Sequence, residues 1–175
     1  MNQCLKSAGQ LMLSGAFIVF SALLFSACQS PKEKALKNIQ ELENNDSSFN
    51  PVLMKNLKDA YLDFVNKYPD DANSPEYLFK AGQRSNVLNQ PTEAIQLFDK
   101  LMQQYPKSSY CEEALFLSGY TFENNLHDFE KARAAYESFL KKYPKSDLAD
   151  DARLSLDNLG RSPEEILENI KKESQ

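Results

Sequence analysis

Along residues 57–143 the apolar positions fall into three superimposable sets. Leu57, Ala60, Tyr61, Phe64, Val65 and Tyr68 line up with Ala94, Leu97, Phe98, Leu101, Met102 and Tyr105. These in turn line up with Ala132, Ala135, Tyr136, Phe139, Leu140 and Tyr143. Steps of three and four residues put each set on one face of a helix. Pro69, Pro106 and Pro144 follow directly. A proline pushes the residue before it out of the helical region, so each helix is predicted to stop near its tyrosine. The starts are marked as well: Asn50 is a good N-cap ahead of Pro51, Pro91 suits a first turn, and Asp128 caps the helix that opens at Phe129.

A second phrase alternates with the first: Tyr77 to Gly82, Ala114 to Gly119 and Ala152 to Leu156. These are the predicted first helices of the following units. The prolines repeat at spacings of 37 and 38 residues, and the extra residue falls in the turn between Gly119 and Ala132. Gly82 and Gly119 lie inside helical patterns at a cost of about 1 kcal/mol each relative to alanine, which close approach of another helix would explain. Upstream, Pro31 to Asn44 carries Ala35, Leu36, Ile39 and Leu42 in a short, highly charged stretch, expected to be a weak helix and partly a tether. A turn-forming linker, residues 45–50, follows it. Downstream, residues 148–159 give a further helix and Gly160 a break. Ser162 and Glu165 then form a capping box for a helix carrying Ile166, Leu167 and Ile170, expected to close the end of the stack. A repeated helical hairpin with a fixed stop means an all-α solenoid.

Composition narrows the partners. Five glycines, no tryptophan and few β-branched residues in the periodic stretches argue against a sheet. A formal charge of -5 with the basic residues interspersed argues against nucleic acid. The first residues read as an address: Lys6, an uncharged run from Leu11 to Phe25, and then Ser26-Ala27-Cys28. Leu24-Phe25-Ser26-Ala27-Cys28 resembles a bacterial lipobox, with Phe25 where leucine is usual. The alternative is an uncleaved span, since Leu11 to Ala27 is at the short edge of what crosses a bilayer. Three segments are therefore expected: residues 1–27 a lipoprotein signal peptide, residues 28–50 a lipidated N-terminus and tether with a possible first helix, and residues 51–175 the repeat domain with its cap. Lipid attachment is expected at Cys28, with anchoring to the membrane through N-terminal acyl chains. Gln29 after the cysteine resembles the pattern of outer-membrane rather than inner-membrane retention. Ser30 to Lys34 is not an acidic surface-export run, so a periplasm-facing domain is expected.

Candidate chemistry is sparse. His127 is the single histidine and lies in a turn, and Cys111 is the one cysteine of the repeat region, read as a small, partly buried apolar residue. No catalytic set, metal site or cofactor is expected.

Gly82 or Gly119, then Ala94 or Ala132, Phe98 or Tyr136, and Pro106 or Pro144 resemble the signature of tetratricopeptide repeats. The longer unit and the phrase Tyr143 to Ala152 resemble the subgroup in bacterial envelope lipoproteins, that of BamD of the β-barrel assembly machine and the Tol-Pal coordinator CpoB. The resemblance spans residues 57–159. It implies a right-handed α-solenoid of about three helical hairpins plus a C-terminal capping helix. It also implies a non-enzymatic scaffold whose partner is a cell-envelope protein, a β-barrel assembly or Tol-Pal component. A small-ligand or nutrient-binding lipoprotein is the alternative. A solenoid normally binds on the face lined by its first helices. Aligning the units there sets Glu76, Phe79, Gln83 and Asn86 beside Glu113, Phe116, Tyr120 and Glu123, and beside Asp151 and Leu154. Phe79 and Phe116 can equally be core, since repeated aromatics usually pack. Gln83 and Tyr120 are the stronger candidates for contact with a partner.

Overall fold

The computed structural model describes residues 29–45 and 50–173, so the leader, Cys28 and linker residues 46–49 lie outside the described residues. The described residues form eight helices: α1 Pro31–Asn44, α2 Pro51–Lys67, α3 Ser74–Val87, α4 Pro91–Gln104, α5 Tyr110–Asn124, α6 Phe129–Lys142, α7 Ala149–Asn158 and α8 Pro163–Glu173. Among the described residues none is long and apolar enough to cross a membrane. The chain divides into two compact units, residues 1–34 and residues 35–175. In the first, Ser30 and Glu33 make a capping box: the Ser30 amide donates to the Glu33 carboxylate and the Glu33 amide to the Ser30 hydroxyl.

The second unit is an α-solenoid of helical hairpins. Helix α2 packs on α3, α3 on α4, α4 on α5, α5 on α6 and α6 on α7, and the first helices α3 and α5 also touch. The three Tyr-Pro phrases end their helices alike. Tyr68, Tyr105 and Tyr143 have ψ values of 56–57°, and their amides donate to Phe64, Leu101 and Phe139 at 2.8, 2.8 and 2.7 Å. Each tyrosine carbonyl then accepts the amide three residues on, from Asp71, Ser108 and Ser146, so the same turn is built three times. The caps are those the sequence marks. The Asn50 side chain accepts from Val52 and Leu53 and that of Asp128 from Lys131, while the Ser162 amide donates to the Glu165 carboxylate at 2.7 Å. Within the hairpins, Asn89 and His127 hold equivalent turn positions with φ of 57° and 52°. The extra residue of the longer unit therefore precedes His127.

Helix α1 is more than a tether. Ile39, 1% exposed, joins the main core with Leu57, Tyr61, Phe64, Leu78, Phe79, Phe98 and Leu101. Ala35, Leu36 and Leu42 pack on its edge. A second core lies beyond α5, around Ala132, Tyr136, Phe139 and Ala152. The expected cap, α8, leaves Leu167 exposed and Leu154 of α7 62% exposed. The side chain of Ile170, expected on its apolar face, lies outside the described residues.

The helical glycines have a specific cause. A Cβ at Gly82 would sit 2.5 Å from Cε1 of Phe98, and one at Gly119 would sit 2.7 Å from Cε1 of Tyr136. Both rings are fully buried and cannot swing aside. What each glycine admits is one aromatic ring of its partner helix, rather than a whole helix backbone. One inter-unit tie is polar: Lys58, 4% exposed on α2, donates to Gln90 at 2.8 Å and to Glu93 of α4 at 2.5 Å. Ser85 of α3 shares the same glutamate oxygen.

These contacts set a double-mutant test. Phe98→Ala is expected to cost about 3–5 kcal/mol by chemical denaturation, because it removes a fully buried ring. Gly82→Ala alone is expected to cost about 1–3 kcal/mol through overpacking. In the Phe98→Ala background the same glycine change becomes neutral or stabilising, and additive losses would contradict the ring contact.

Candidate functional site

The first helices α3, α5 and α7 carry the ten groove positions expected from the sequence, and the structure divides them. Phe79 is core rather than groove: it is 4% exposed, stacked on Tyr110 at 5.2 Å between ring centroids and tilted against Phe98 at 6.0 Å. Tyr110 opens the next first helix, so Phe79 is covered from both sides. Phe116 is likewise turned inward, half-buried against Tyr136 and Phe139 at 5.7 and 5.6 Å. Asn86 is spent inside the fold, its Nδ2 donating 2.8 Å to Thr121 Oγ1 on α5, while its buried Oδ1 has no protein partner. Glu76 pairs with Lys80 at 2.7 Å. Glu123 is half-buried and accepts the Tyr136 hydroxyl at 2.8 Å. Glu113, Asp151 and Leu154 are exposed, Tyr120 is 48% exposed, and Gln83 is half-buried at the rim of a cavity.

That cavity, of about 500 Å³, is lined by Glu43, Tyr61, Lys80, Gln83, Arg84 and Val87. Glu43 of α1 is its hub. One of its oxygens accepts the Tyr61 hydroxyl at 2.7 Å and the Lys80 ammonium at 2.8 Å, and the ammonium lies 5.8 Å from the Tyr61 ring centroid. Burial works to raise the Glu43 carboxyl pKa, but the hydrogen bonds from Lys80 and Tyr61 outweigh it and hold it below its ordinary value. Burial, reinforced by hydrogen bonds to carboxylates, pushes the Tyr61 and Tyr136 hydroxyls far above the ordinary phenol range. Neither phenol ionises near neutral pH. Both act as fixed donors.

Sequence reading missed this cluster. Glu43 belongs to the stretch taken as half tether, and Lys80 reads as an ordinary solvated lysine. The one available signal was spacing: Glu123 lies four residues after Gly119 as Asn86 does after Gly82, and Glu43 lies four after the core residue Ile39. Outside the first-helix face, Cys111 is more deeply buried than expected, and its Sγ donates to the Tyr105 carbonyl at 3.2 Å. His127 is exposed in its turn. Among the described residues, no three His, Cys, Asp or Glu side chains gather in a way that could hold a metal ion.

The depressed Glu43 value fixes a pH dependence. Its contribution to stability is full above the ordinary glutamate value of 4.5 and is lost as the pH falls through the lower folded value. The stability difference between the wild type and Glu43→Gln is therefore expected to shrink on acidification below about pH 4.5, followed by urea titration at several pH values. A constant difference would show that the carboxylate is not held by these bonds.

No curated protein matches the chain. The family model for the tetratricopeptide repeat matches residues 76–108 and 113–146, the spans of hairpins α3–α4 and α5–α6, and so identifies these two hairpins as tetratricopeptide repeats.

Proposed function

We propose that this chain is a non-enzymatic, periplasm-facing scaffold, anchored by lipid at Cys28 to a bacterial outer membrane. On this reading it holds a segment of a cell-envelope protein against its first helices. Tetratricopeptide repeats generally bind protein partners. The observation that carries the reading is the side-by-side packing of α3 and α5, which leaves Gln83, half-buried, and Tyr120, exposed, at equivalent positions. The lipobox-like Leu24 to Cys28 supports the anchor, and the phrase Tyr143 to Ala152 supports a role in β-barrel assembly or Tol-Pal envelope maintenance.

The cavity at Glu43 favours a second reading, a small-ligand or nutrient-binding lipoprotein, because its volume of about 500 Å³ suits a small molecule. Its lining weighs against that reading. Three of its six lining residues, Glu43, Lys80 and Arg84, are charged, and Glu43 and Lys80 are already paired with each other rather than directed at a ligand.

Two experiments separate the parts of this proposal. Cys28→Ser is expected to leave an unprocessed precursor that takes up no radiolabelled fatty acid; normal processing would refute the anchor. Replacing Gln83 and Tyr120 together by alanine is expected to weaken capture of the envelope partner from detergent-solubilised membranes at least tenfold, with the melting temperature within about 2 °C of wild type. Undiminished capture would remove the first-helix face from the account.

A further inference from the structure

Helix α1 takes the place of a first helix ahead of α3 and α5, and the two junctions between these helices differ. Ile39 of α1 holds the position of Gly82 and Gly119: Glu43, four residues on, accepts the Tyr61 hydroxyl as Glu123, four after Gly119, accepts that of Tyr136. A side chain therefore stands on α1 where α3 and α5 have none. At the second junction α3 and α5 touch, and Asn86 bonds to Thr121 across them at 2.8 Å. No described helix comes as close to α1 as that. The space left at the first junction is the cavity of about 500 Å³, lined by Glu43 of α1, Tyr61 of α2, and Lys80, Gln83, Arg84 and Val87 of α3.

The walls decide what can enter. The inner wall is bonded to itself: one Glu43 oxygen accepts both the Tyr61 hydroxyl and the Lys80 ammonium, and Lys80 also pairs with Glu76 at 2.7 Å. Tyr61 is 1% exposed and only floors the space. The outer wall is one turn of α3, with Gln83 and Arg84 half-buried and Val87 49% exposed. Around the space the charges of Glu43 and Glu76 cancel those of Lys80 and Arg84. A charged side chain entering it would give up its hydration for no net attraction. A neutral ring gives up little, and it meets the valine, the methylene stems of the lysine and arginine, and a guanidinium plane, which stacks on aromatic faces.

Resting on the reading of the first-helix face as the partner-binding surface, we propose that the cavity between α1 and α3 receives an aromatic side chain of the bound protein segment. The ring lies against Val87 and the Arg84 guanidinium. The segment's backbone passes Gln83, which belongs both to the cavity rim and to the first-helix face, and runs on toward Tyr120. Helix α1 is then part of the binding surface, although it lies ahead of residue 76, where the match to the repeat family begins. The site prefers a ring to an aliphatic chain of similar bulk, because only the ring gains the cation–π attraction.

The test titrates the full chain, in detergent micelles, with the peptides acetyl-Ser-Gly-X-Gly-Ser-amide in which X is phenylalanine, leucine, lysine or glutamate. The phenylalanine peptide is expected to bind about fivefold more tightly than the leucine peptide and about tenfold more tightly than either charged one, and to shift the Glu43, Gln83 and Val87 amide resonances. Arg84→Gln is expected to bring the phenylalanine peptide down to the affinity of the leucine peptide. Should that variant fold poorly, Val87→Asp, at an exposed position, is expected to weaken the phenylalanine peptide about tenfold. Equal binding of the phenylalanine and leucine peptides, tighter binding of a charged one, binding of none, or undiminished phenylalanine binding in both variants overturns the proposal. If the peptides behave alike while the Gln83 and Tyr120 replacements still weaken capture of the envelope partner, the ring assignment fails and the first-helix face stands. If that capture is also unaffected, the reading of the face itself has failed.

Discussion

One contact, made twice, governs the stack: an aromatic ring on each second helix lies against a glycine on its first helix, Phe98 on Gly82 and Tyr136 on Gly119. The glycine costs about 1 kcal/mol of helix propensity, and full burial of the ring returns about 2–3 kcal/mol. More importantly, the ring fixes how far apart the two helices of a hairpin stand. A methyl group at either glycine would overlap a ring carbon. With the spacing fixed, the first helices turn Leu78, Phe79 and Ala81 inward, and Gln83 and Tyr120 are left at the surface.

The same geometry explains where the charges go. Lysines that would be solvated on an isolated helix are paired between units: Lys58, buried, bridges α2 to Glu93 on α4, and Lys80, half-buried, bridges Glu43 on α1 to Glu76 on its own helix. Such pairs add register more than stability, because the desolvation of the two charges offsets much of their attraction. At each junction the aromatic ring is constant and the polar groups around it vary. The shared part builds the stack, and the variable part is where one junction can differ from another in what it accepts.

Most of the architecture is legible in the sequence because it depends on local rules. A proline after Tyr68, Tyr105 or Tyr143 acts on its neighbour alone, and Asn50, Asp128 and Ser162 cap amides two or three residues away. What escaped depends on partners distant in the chain. Phe79 occupies a position that a helical wheel cannot assign, since a first helix is covered on one side by its own second helix and on another by Tyr110 of the next unit. Lys58 finds Glu93 across 35 residues, and nothing near Lys58 announces that its charge will be enclosed. Helix α1 reads as weak from its charge density, but Ile39 inserts into a core assembled mainly by α2 to α4. The glycines were legible as close approaches, but not as approaches by single rings.

The measurement that bears most directly on the first-helix face is site-specific photo-crosslinking in intact cells. A benzophenone amino acid would be placed singly at positions 83, 120 and 154 on the first helices and at the exposed positions 99 and 137 on the second helices, and the adducts identified by mass spectrometry. Adducts to one and the same envelope protein from 83, 120 and 154, with none from 99 or 137, are predicted. Adducts confined to the second-helix positions would contradict the account.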